Sequence, residues 1–304
     1  MKLKIVVTKD LKFYPDQIKR LESLGQVIYH KKEAKTADEW LERCKEANII
    51  CTGLFGFNSD KLYQLRNVFI TLPFVGIEFL DKKKLKEKNI VVANSPGCNK
   101  ESVTEWIIGM LLMNFRRLNL LTRRKDLSRE EALQTDRSLF NKKIIILGNG
   151  HIGKQLGKIC KVFGMQVNIF KRGDNILEKV KDADIIANCL SANESSINLL
   201  DKKMFMSLKK GSFFISVTKP QVYDLAALKE ALDKGILSGA ADDAGGANIG
   251  DTKDPQYKEL LKHPKIIVTP HIAWNSEAEL RKSNDIMIDN IVAWIKHKPI
   301  NLVR

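Results

Sequence analysis

Cysteine, proline and aromatic residues are scarce in this chain of 304 residues, which has 5 cysteines, 8 prolines and 7% aromatic residues. The cysteines are odd in number and irregularly spaced. This pattern argues against a disulfide framework and against a zinc site, and it favours reduced thiols in a cytoplasmic protein. Cys98 falls in a predicted linker, so we expect an exposed free thiol there.

Long apolar runs are also missing. Hydrophobic residues make up 44% of the chain, but no run approaches the roughly 20 apolar residues that span a bilayer. The N-terminal MKLKIVVTKD leads straight into a predicted strand. We therefore expect neither a membrane span nor a signal peptide, and the length suggests two domains.

Acidic residues are outnumbered, with 36 Asp and Glu against 51 Lys and Arg, which gives a formal net charge of +15. Such a charge can indicate a nucleic-acid partner. However, the lysines are scattered, aromatic residues are not interleaved with them, and no nucleic-acid-binding motif accompanies them. We expect a lysine-rich surface that attracts small anionic substrates and cofactors, and no nucleic-acid partner.

One complete β-α-β pattern lies between Asn141 and Arg172. The apolar run Ile144–Leu147 predicts a buried parallel strand, and Gly148-Asn149-Gly150-His151-Ile152-Gly153 follows at once. Apolar residues at helical spacing come next, and then a second predicted strand, Val167–Phe170. The glycines therefore stand at the first turn of the unit.

These glycines suit a dinucleotide-binding turn. Gly148 allows a tight turn, Gly150 lets the backbone approach a pyrophosphate, and Gly153 lets the helix pack closely on the strand. His151 and Ile152 open the helix, whose free N–H groups and positive dipole end attract an anion. The alternative is a glycine-rich turn in an ordinary α/β unit.

The end of the second strand bears on the choice of cofactor. NAD-binding units usually carry Asp or Glu about 20 residues past the glycines, to hold the ribose 2′-hydroxyl. This chain has Lys171 and Arg172 there. Two cations attract a 2′-phosphate, so we predict NADP with NAD as the alternative. The alternative is a solvated basic pair in a very basic protein.

The whole pattern predicts an α/β protein with two doubly wound parallel-sheet domains. Short β-α units up to residue 94 predict a flavodoxin-like substrate domain, which the final helix is expected to rejoin. That domain would comprise residues 1–94 and 275–304, and a Rossmann dinucleotide-binding domain would comprise residues 95–274. A long apolar helix from about Ser102 to Leu121 is expected to be buried against a second domain or a second subunit.

Three sites at strand ends carry candidate chemistry. The loops Gly53–Gly56 and Pro73–Gly76 can present backbone N–H groups to a small anion, although plain turn chemistry also explains them. Thr269-Pro270-His271 follows a predicted strand at the carboxyl edge of the nucleotide sheet. A histidine there can protonate a carbonyl oxygen as hydride reaches its carbon. A lone histidine is more often structural, but the position of His271 at a strand end favours the catalytic interpretation.

Four segments in order resemble the D-isomer-specific 2-hydroxyacid dehydrogenase family over nearly the whole chain. They are VVANSPGCNKESVTEWIIGMLL, LGNGHIGKQLGKICKVFGMQV, SFFISVTKPQVYDLAALKEALDKGILSGAADD and HPKIIVTPHIAWNSEAE. The TPHIAW form, with Trp274, resembles hydroxypyruvate and glyoxylate reductases in particular.

The resemblance implies reduction of a 2-oxo acid to a D-2-hydroxy acid by a homodimer. His271 aligns with the acid/base histidine and Asp243 with the aspartate that binds the nicotinamide amide. Val75 and Gly76 align with the carboxylate-binding loop. Further cofactor contacts are expected at Leu190, Ser195 and Thr218, and further substrate contacts at Leu54 and Trp274.

Two positions depart from the family. Lys219 stands where the family has the substrate-binding Arg, and it supplies a charge without the planar fork that fits a carboxylate. Pro220 follows it and favours extended geometry at Lys219. Asn248 stands where the family has the Glu that holds the histidine, so we expect the pKa of His271 to be lower than in family members with Glu.

These departures leave three hypotheses open. The first is a working reductase with an altered site. The second is a non-catalytic NADP(H)-binding sensor or scaffold. The third is a reductase for a different carbonyl substrate, in which Lys219 takes a new role such as proton donor.

Overall fold

The computed structural model describes residues 2–118, 121, 124, 126–133, 137–243 and 250–303. The chain forms two compact units: Met1–Asn99 with Ser276–Arg304, and Lys100–Asn275. From the sequence we expected these boundaries after residues 94 and 274, slightly before their positions in the structure. Each unit is built on one parallel sheet.

The sheet of the first unit has five strands in the order β2-β1-β3-β4-β5. All neighbouring pairs are parallel, so the predicted flavodoxin-like arrangement is confirmed. The strands are β1 Lys4–Val7, β2 Gln26–Tyr29, β3 Ile49–Cys51, β4 Val68–Thr71 and β5 Ile90–Ala93.

Helices cover both faces of this sheet. Alternating residues of β1 divide between two cores, since successive side chains of a strand point to opposite faces. Val6 packs in the core that contains Trp40, whereas Ile5 packs in the core that contains Met287 of the last helix. The helices are α1 Pro15–Glu22, α2 Ala37–Cys44, α3 Lys82–Glu87 and the last helix, Glu277–Ile295, with a 3₁₀ turn at Asp60–Gln64.

The second unit carries a six-stranded sheet of order β11-β10-β9-β8-β6-β7, parallel throughout. The chain crosses from one side of β6 to the other between β7 and β8, which makes the β6/β8 carboxyl edge the place where ligands bind in such sheets. The strands are β6 Lys143–Leu147, β7 Gln166–Phe170, β8 Ile185–Asn188, β9 Ser212–Ser216, β10 Leu237–Asp242 and β11 Ile266–Val268.

The helices of the second unit begin with α4, Lys100–Phe115. The others are α5 Arg129–Ala132, α6 His151–Val162, α7 Ile176–Val180, α8 Lys202–Met206, α9 Leu225–Asp233 and α10 Pro255–Lys262, and the last helix of the chain is α11. One core, which contains Leu111 of α4 and Leu156 of α6, covers one sheet face. A second core, which contains Phe205 and Leu228, covers the other face.

The long apolar helix ends earlier than predicted. We expected it to continue to Leu121, but α4 ends at Phe115. The physical reason is Arg117, whose φ of 48° is left-handed and cannot continue a right-handed helix. Over the described residues, no helix is both long enough and apolar enough to span a membrane.

The prediction of an exposed Cys98 is wrong. Cys98 is 2% exposed, and its thiol is hydrogen-bonded with the buried carboxyl of Glu279 in the first turn of α11. Burial raises the pKa of the Cys98 thiol far above its ordinary value, and the neighbouring Glu279 raises it further. All five cysteines are free.

Candidate active site

The glycine turn after β6 is shaped by close backbone approaches. Gly148 has a φ of 112°, and a Cβ there would lie 2.6 Å from the carbonyl oxygen of Cys189. A Cβ on Gly153 would lie 2.0 Å from the carbonyl oxygen of Gly148. These two contacts confirm the predicted tight turn and the close packing of α6.

Gly150 differs from its neighbours, because a Cβ there would meet no atom within 4 Å. It is the residue that precedes α6, whose first residue His151 is exposed and whose second, Ile152, is half-buried. The N-terminus of α6 is therefore open on this side, where backbone N–H groups and the helix dipole favour an anion. The turn fits the pyrophosphate of a dinucleotide.

Lys171 and Arg172 follow β7 directly and are both exposed. The guanidinium of Arg172 donates to Ser195 Oγ at 3.4 Å, so Ser195 lies next to the basic pair. Asp174 also lies there, since its carboxylate accepts the Lys171 backbone N–H at 2.9 Å. Sequence reasoning gave this carboxylate no role, although it stands two residues after the basic pair.

The turns after β8 and β9 are joined to each other. The Thr218 hydroxyl donates to the carbonyl oxygen of Leu190 at 2.6 Å, so these two predicted cofactor residues lie side by side. Lys219 follows with φ −60° and ψ 145° before a 3₁₀ turn over Pro220–Val222. The extended geometry expected at Lys219 is therefore confirmed.

His271 lies in a short segment that Asp243 holds in place. The Asp243 carboxylate is buried and accepts three hydrogen bonds, from the hydroxyl of Thr269 at 2.6 Å and from the N–H groups of Ile272 and Ala273 at 2.9 Å each. The His271 N–H donates to the Asp243 carbonyl oxygen at 2.6 Å, and His271 has a left-handed φ of 55°. Sequence reasoning placed Asp243 at the nicotinamide and missed this role.

The imidazole of His271 is accessible, with 47% of its side chain exposed, and its Nδ1 lies 3.9 Å from Asp243 Oδ2. Partial burial lowers the pKa of His271 below its ordinary value of 6.5. The Asp243 carboxylate opposes this lowering and the positive charge of Lys219 adds to it. Burial raises the pKa of Asp243, against the effect of its hydrogen bonds. The expectation that Asn248 lowers the pKa of His271 relative to family members with Glu stays a prediction, because the causes of this lowering are burial and Lys219.

The remaining predicted residues divide between the two units. Trp274 lies beside the histidine and donates its indole N–H to the His271 carbonyl oxygen at 2.8 Å. In the first unit, Leu54, Val75 and Gly76 are exposed in the turns after β3 and β4. Asn248 lies outside the described residues. Within the described ranges no group of three or more His, Cys, Asp or Glu side chains is arranged to hold a metal ion.

Comparison with known proteins identifies the family. The profile of the D-isomer specific 2-hydroxyacid dehydrogenase NAD-binding domain matches residues 107–273. D-lactate dehydrogenase of Staphylococcus aureus (strain MRSA252) is 31% identical over 264 residues, which cover 78% of this chain and 80% of the relative. A putative 2-hydroxyacid dehydrogenase of Haemophilus influenzae is 25% identical over 283 residues, which cover 87% and 89%. The chain belongs to the D-isomer specific 2-hydroxyacid dehydrogenase family and is an oxidoreductase that uses a nicotinamide dinucleotide.

Solved structures share the fold. An acyclic imino acid reductase in complex with NADPH and D-Arg superposes with a TM-score of 0.85 at 22% identity, covering 99% of this chain and 100% of the other. Apo D-mandelate dehydrogenase of Rhodotorula graminis also gives 0.85, at 17% identity and with 100% and 98% covered. The predicted fold class is confirmed. The expected homodimer and cytoplasmic location stay predictions.

Proposed function

We propose that the chain catalyses the NADPH-dependent reduction of a 2-oxo acid, of the hydroxypyruvate or glyoxylate type, to a D-2-hydroxy acid. The observation that carries this proposal is the accessible His271 imidazole, held beside the buried Asp243 carboxylate at the carboxyl edge of the dinucleotide sheet. The glycine turn opens on that same edge. Proton donor and cofactor turn therefore belong to one sheet edge.

His271 would act as the acid. A bound nicotinamide dinucleotide supplies the hydride, and the chain must supply a proton to the carbonyl oxygen. The Nδ1 side of the ring faces Asp243, which leaves Nε2 to donate that proton. In the reverse direction Nε2 would accept it. Asp243 is the group that orients the ring, because its carboxylate already binds the segment on both sides of His271.

Lys219 would bind the substrate carboxylate and polarise its carbonyl. An ammonium group does this as a point charge, without the two parallel hydrogen bonds of an Arg. For the backbone N–H groups of Val75 and Gly76 we propose a role in carboxylate binding, and for Leu54 and Trp274 a role in substrate contact. The roles of Val75, Gly76, Leu54 and Trp274 rest on the family resemblance.

The cofactor preference rests on charge. Lys171 and Arg172 are both exposed after β7, and Arg172 is oriented by Ser195. Cations at that place stabilise a 2′-phosphate. The nearby carboxylate of Asp174 instead accepts the backbone N–H of Lys171. The structural relative that holds NADPH is in keeping with this preference.

A second candidate substrate is an imino acid. Lys219 replaces the Arg expected in the family, and one structural relative is an acyclic imino acid reductase. Hydride would then reach the carbon of a C=N bond, and the proton from His271 would reach its nitrogen. Turnover that appears only when an amine is added to the 2-oxo acid would favour this candidate.

The test is oxidation of NADPH, with NADH in parallel, against glyoxylate, hydroxypyruvate and pyruvate, each with and without an added amine. His271→Asn should lower kcat on the order of 100-fold or more. His263→Asn is the matched control, because His263 also lies near a carboxylate of the second unit, at 3.4 Å from Asp233. Saturable NADPH binding without turnover of any substrate would contradict the proposal and favour the sensor or scaffold.

A further inference from the structure

A row of buried polar residues crosses the second sheet just beneath its carboxyl edge. Asn188, Ser216 and Asp242 end β8, β9 and β10, and they are paired in register. Their exposures are 0%, 0% and 1%. Register partners in neighbouring strands project to the same face, and the Asn188 amide donates to Ser216 Oγ at 3.3 Å. This row lies directly below the turns that carry the candidate site.

Asp242 has a buried tyrosine as its partner. The hydroxyl of Tyr223 donates to Asp242 Oδ2, and Tyr223 is 4% exposed within the apolar core that also contains Phe214 and Val268. A carboxylate is costly to bury in such surroundings unless it is hydrogen-bonded. An apolar pair of similar volume would meet the packing requirement at least as well. The buried polar pair therefore calls for an explanation beyond packing.

The Tyr223 end of the pair closes the turn that begins at Lys219. The backbone N–H of Tyr223 donates to the Pro220 carbonyl oxygen at 3.3 Å, and that of Val222 donates to the Lys219 carbonyl oxygen at 3.2 Å. Tyr223 also forms a bridge with Leu200. Tyr223 ends this turn, and its ring is buried in the core. The ring therefore anchors the turn from which the Lys219 side chain projects.

The Asp242 end belongs to the His271 segment. The Asp242 carbonyl oxygen accepts the Thr269 N–H at 2.9 Å. The next residue is Asp243, whose carboxylate binds Ile272 and Ala273 on the far side of the histidine. One side-chain hydrogen bond therefore connects the turn of Lys219 with the strand end that holds His271.

We propose that Tyr223 and Asp242 are positioning residues, whose hydrogen bond fixes the Lys219 turn against the His271 segment. This inference rests on the proposed function, in which Lys219 binds the substrate carboxylate and His271 protonates the substrate carbonyl oxygen. Small displacements of such groups lower turnover strongly, because binding and proton transfer require close geometry. Neither residue of the pair is assigned any contact with substrate or cofactor.

The test compares Tyr223→Phe and Asp242→Asn with Tyr257→Phe, which alters another buried tyrosine of the same core. Tyr223→Phe removes the donor, whereas Asp242→Asn keeps an acceptor oxygen. We expect Tyr223→Phe to raise KM for the 2-oxo acid and lower kcat by about tenfold each. The Kd for NADPH should stay within about twofold of wild type. Asp242→Asn should preserve more activity, with changes of about threefold.

Amide hydrogen exchange gives a readout that does not depend on turnover. In Tyr223→Phe, exchange should become faster in residues 219–223 and also in residues 271–273, and Tyr257→Phe should leave both segments at wild-type rates. Faster exchange in one segment alone would overturn the inference, as would unchanged KM and kcat in an active wild-type background. If the wild-type enzyme reduces none of the substrates, the proposed function fails, and the exchange of the two segments still decides whether the pair couples them.

Discussion

The carboxylate of Asp243 and the imidazole of His271 lie 3.9 Å apart, measured from Oδ2 to Nδ1. The same carboxylate accepts hydrogen bonds from Thr269, Ile272 and Ala273. One buried side chain therefore sets both the shape of the histidine segment and the charge next to the ring.

Replacing Asp243 with Asn should damage both functions. An amide has one acceptor oxygen where the carboxylate has two, so part of the clamp on residues 269–273 is lost. The negative charge that raises the pKa of His271 is removed, so that pKa should fall further. We expect kcat/KM for reduction to fall on the order of 100-fold, measured by steady-state kinetics alongside an NMR titration of His271.

Asp201→Asn is the control, since Asn also caps a helix such as α8. An unchanged His271 pKa in Asp243→Asn would contradict this account.

The rate of reduction should rise as the pH falls. The acid must be the protonated imidazole, and burial and Lys219 lower the pKa of His271 below 6.5. At neutral pH most of the enzyme would therefore hold a neutral ring, and kcat/KM should climb toward a plateau below pH 6.5. Oxidation of the hydroxy acid needs the neutral ring and should show the opposite dependence. A pH profile of both directions on one preparation checks this, and a reduction rate that rises with pH would exclude His271 as the acid.

The same shift has a consequence for stability, with a definite sign. The unfolded chain takes up a proton at His271 near 6.5, whereas the folded chain does so only at lower pH. His271 therefore destabilises the folded state progressively as the pH falls through this interval. His271→Asn should lose less free energy of unfolding than wild type between neutral and mildly acidic pH, as measured by urea unfolding. An equal loss in both proteins would show that the pKa is not lowered.

Two glycines of α6 should respond oppositely to the same substitution. In Gly153→Ala the new Cβ would lie 2.0 Å from the Gly148 carbonyl oxygen, so α6 must move away from the turn. We expect a loss of about 1–3 kcal/mol in the free energy of unfolding and a large loss of NADPH affinity. In Gly157→Ala the nearest atoms are 3.6 Å away, and the gain in helix propensity should stabilise by about 0.5–1 kcal/mol. Thermal unfolding and cofactor titration of both variants test this pair. Similar behaviour of the two variants would refute the close approach.

Charge reversal should change the cofactor preference. Lys171→Asp with Arg172→Ala removes the two exposed cations after β7 and introduces a carboxylate that repels a 2′-phosphate. We expect the Kd for NADPH to rise on the order of 10- to 100-fold, because charge-assisted hydrogen bonds to phosphate are lost. The Kd for NADH should stay similar or improve. Lys158→Asp with Lys161→Ala, at two exposed positions of α6, makes the same change in net charge and is the control. Equal weakening for both cofactors would argue against a 2′-phosphate contact.

Local patterns predicted much of this structure. The two strands that flank the glycine turn are predictable because buried parallel strands are short apolar runs. The turn itself is predictable because its requirements fall within six consecutive residues. The extended geometry of Lys219 followed from Pro220, whose ring acts on the residue immediately before it.

Contacts between residues far apart in the chain could not be predicted from local sequence patterns. The end of α4 depends on a left-handed Arg117, a conformation that usually signals glycine or asparagine. Cys98 is buried because α11 packs in the first unit with Glu279 beside the thiol. The residues near Cys98 in the sequence do not predict this contact. The three hydrogen bonds on Asp243 depend likewise on how residues 269–273 fold back onto the end of β10.

The discontinuity of the first unit has a consequence for synthesis on the ribosome. Residues up to Asn99 emerge first, yet one of their two cores lacks Met287, Ile288 and Ile291 until α11 is made. The second unit is contained in a single stretch, Lys100–Asn275, and its residues are complete earlier. Domains generally fold as units in the order in which they become available. The second unit would therefore complete its folding before the first unit. One apolar face of the first sheet would stay uncovered until α11 is synthesised.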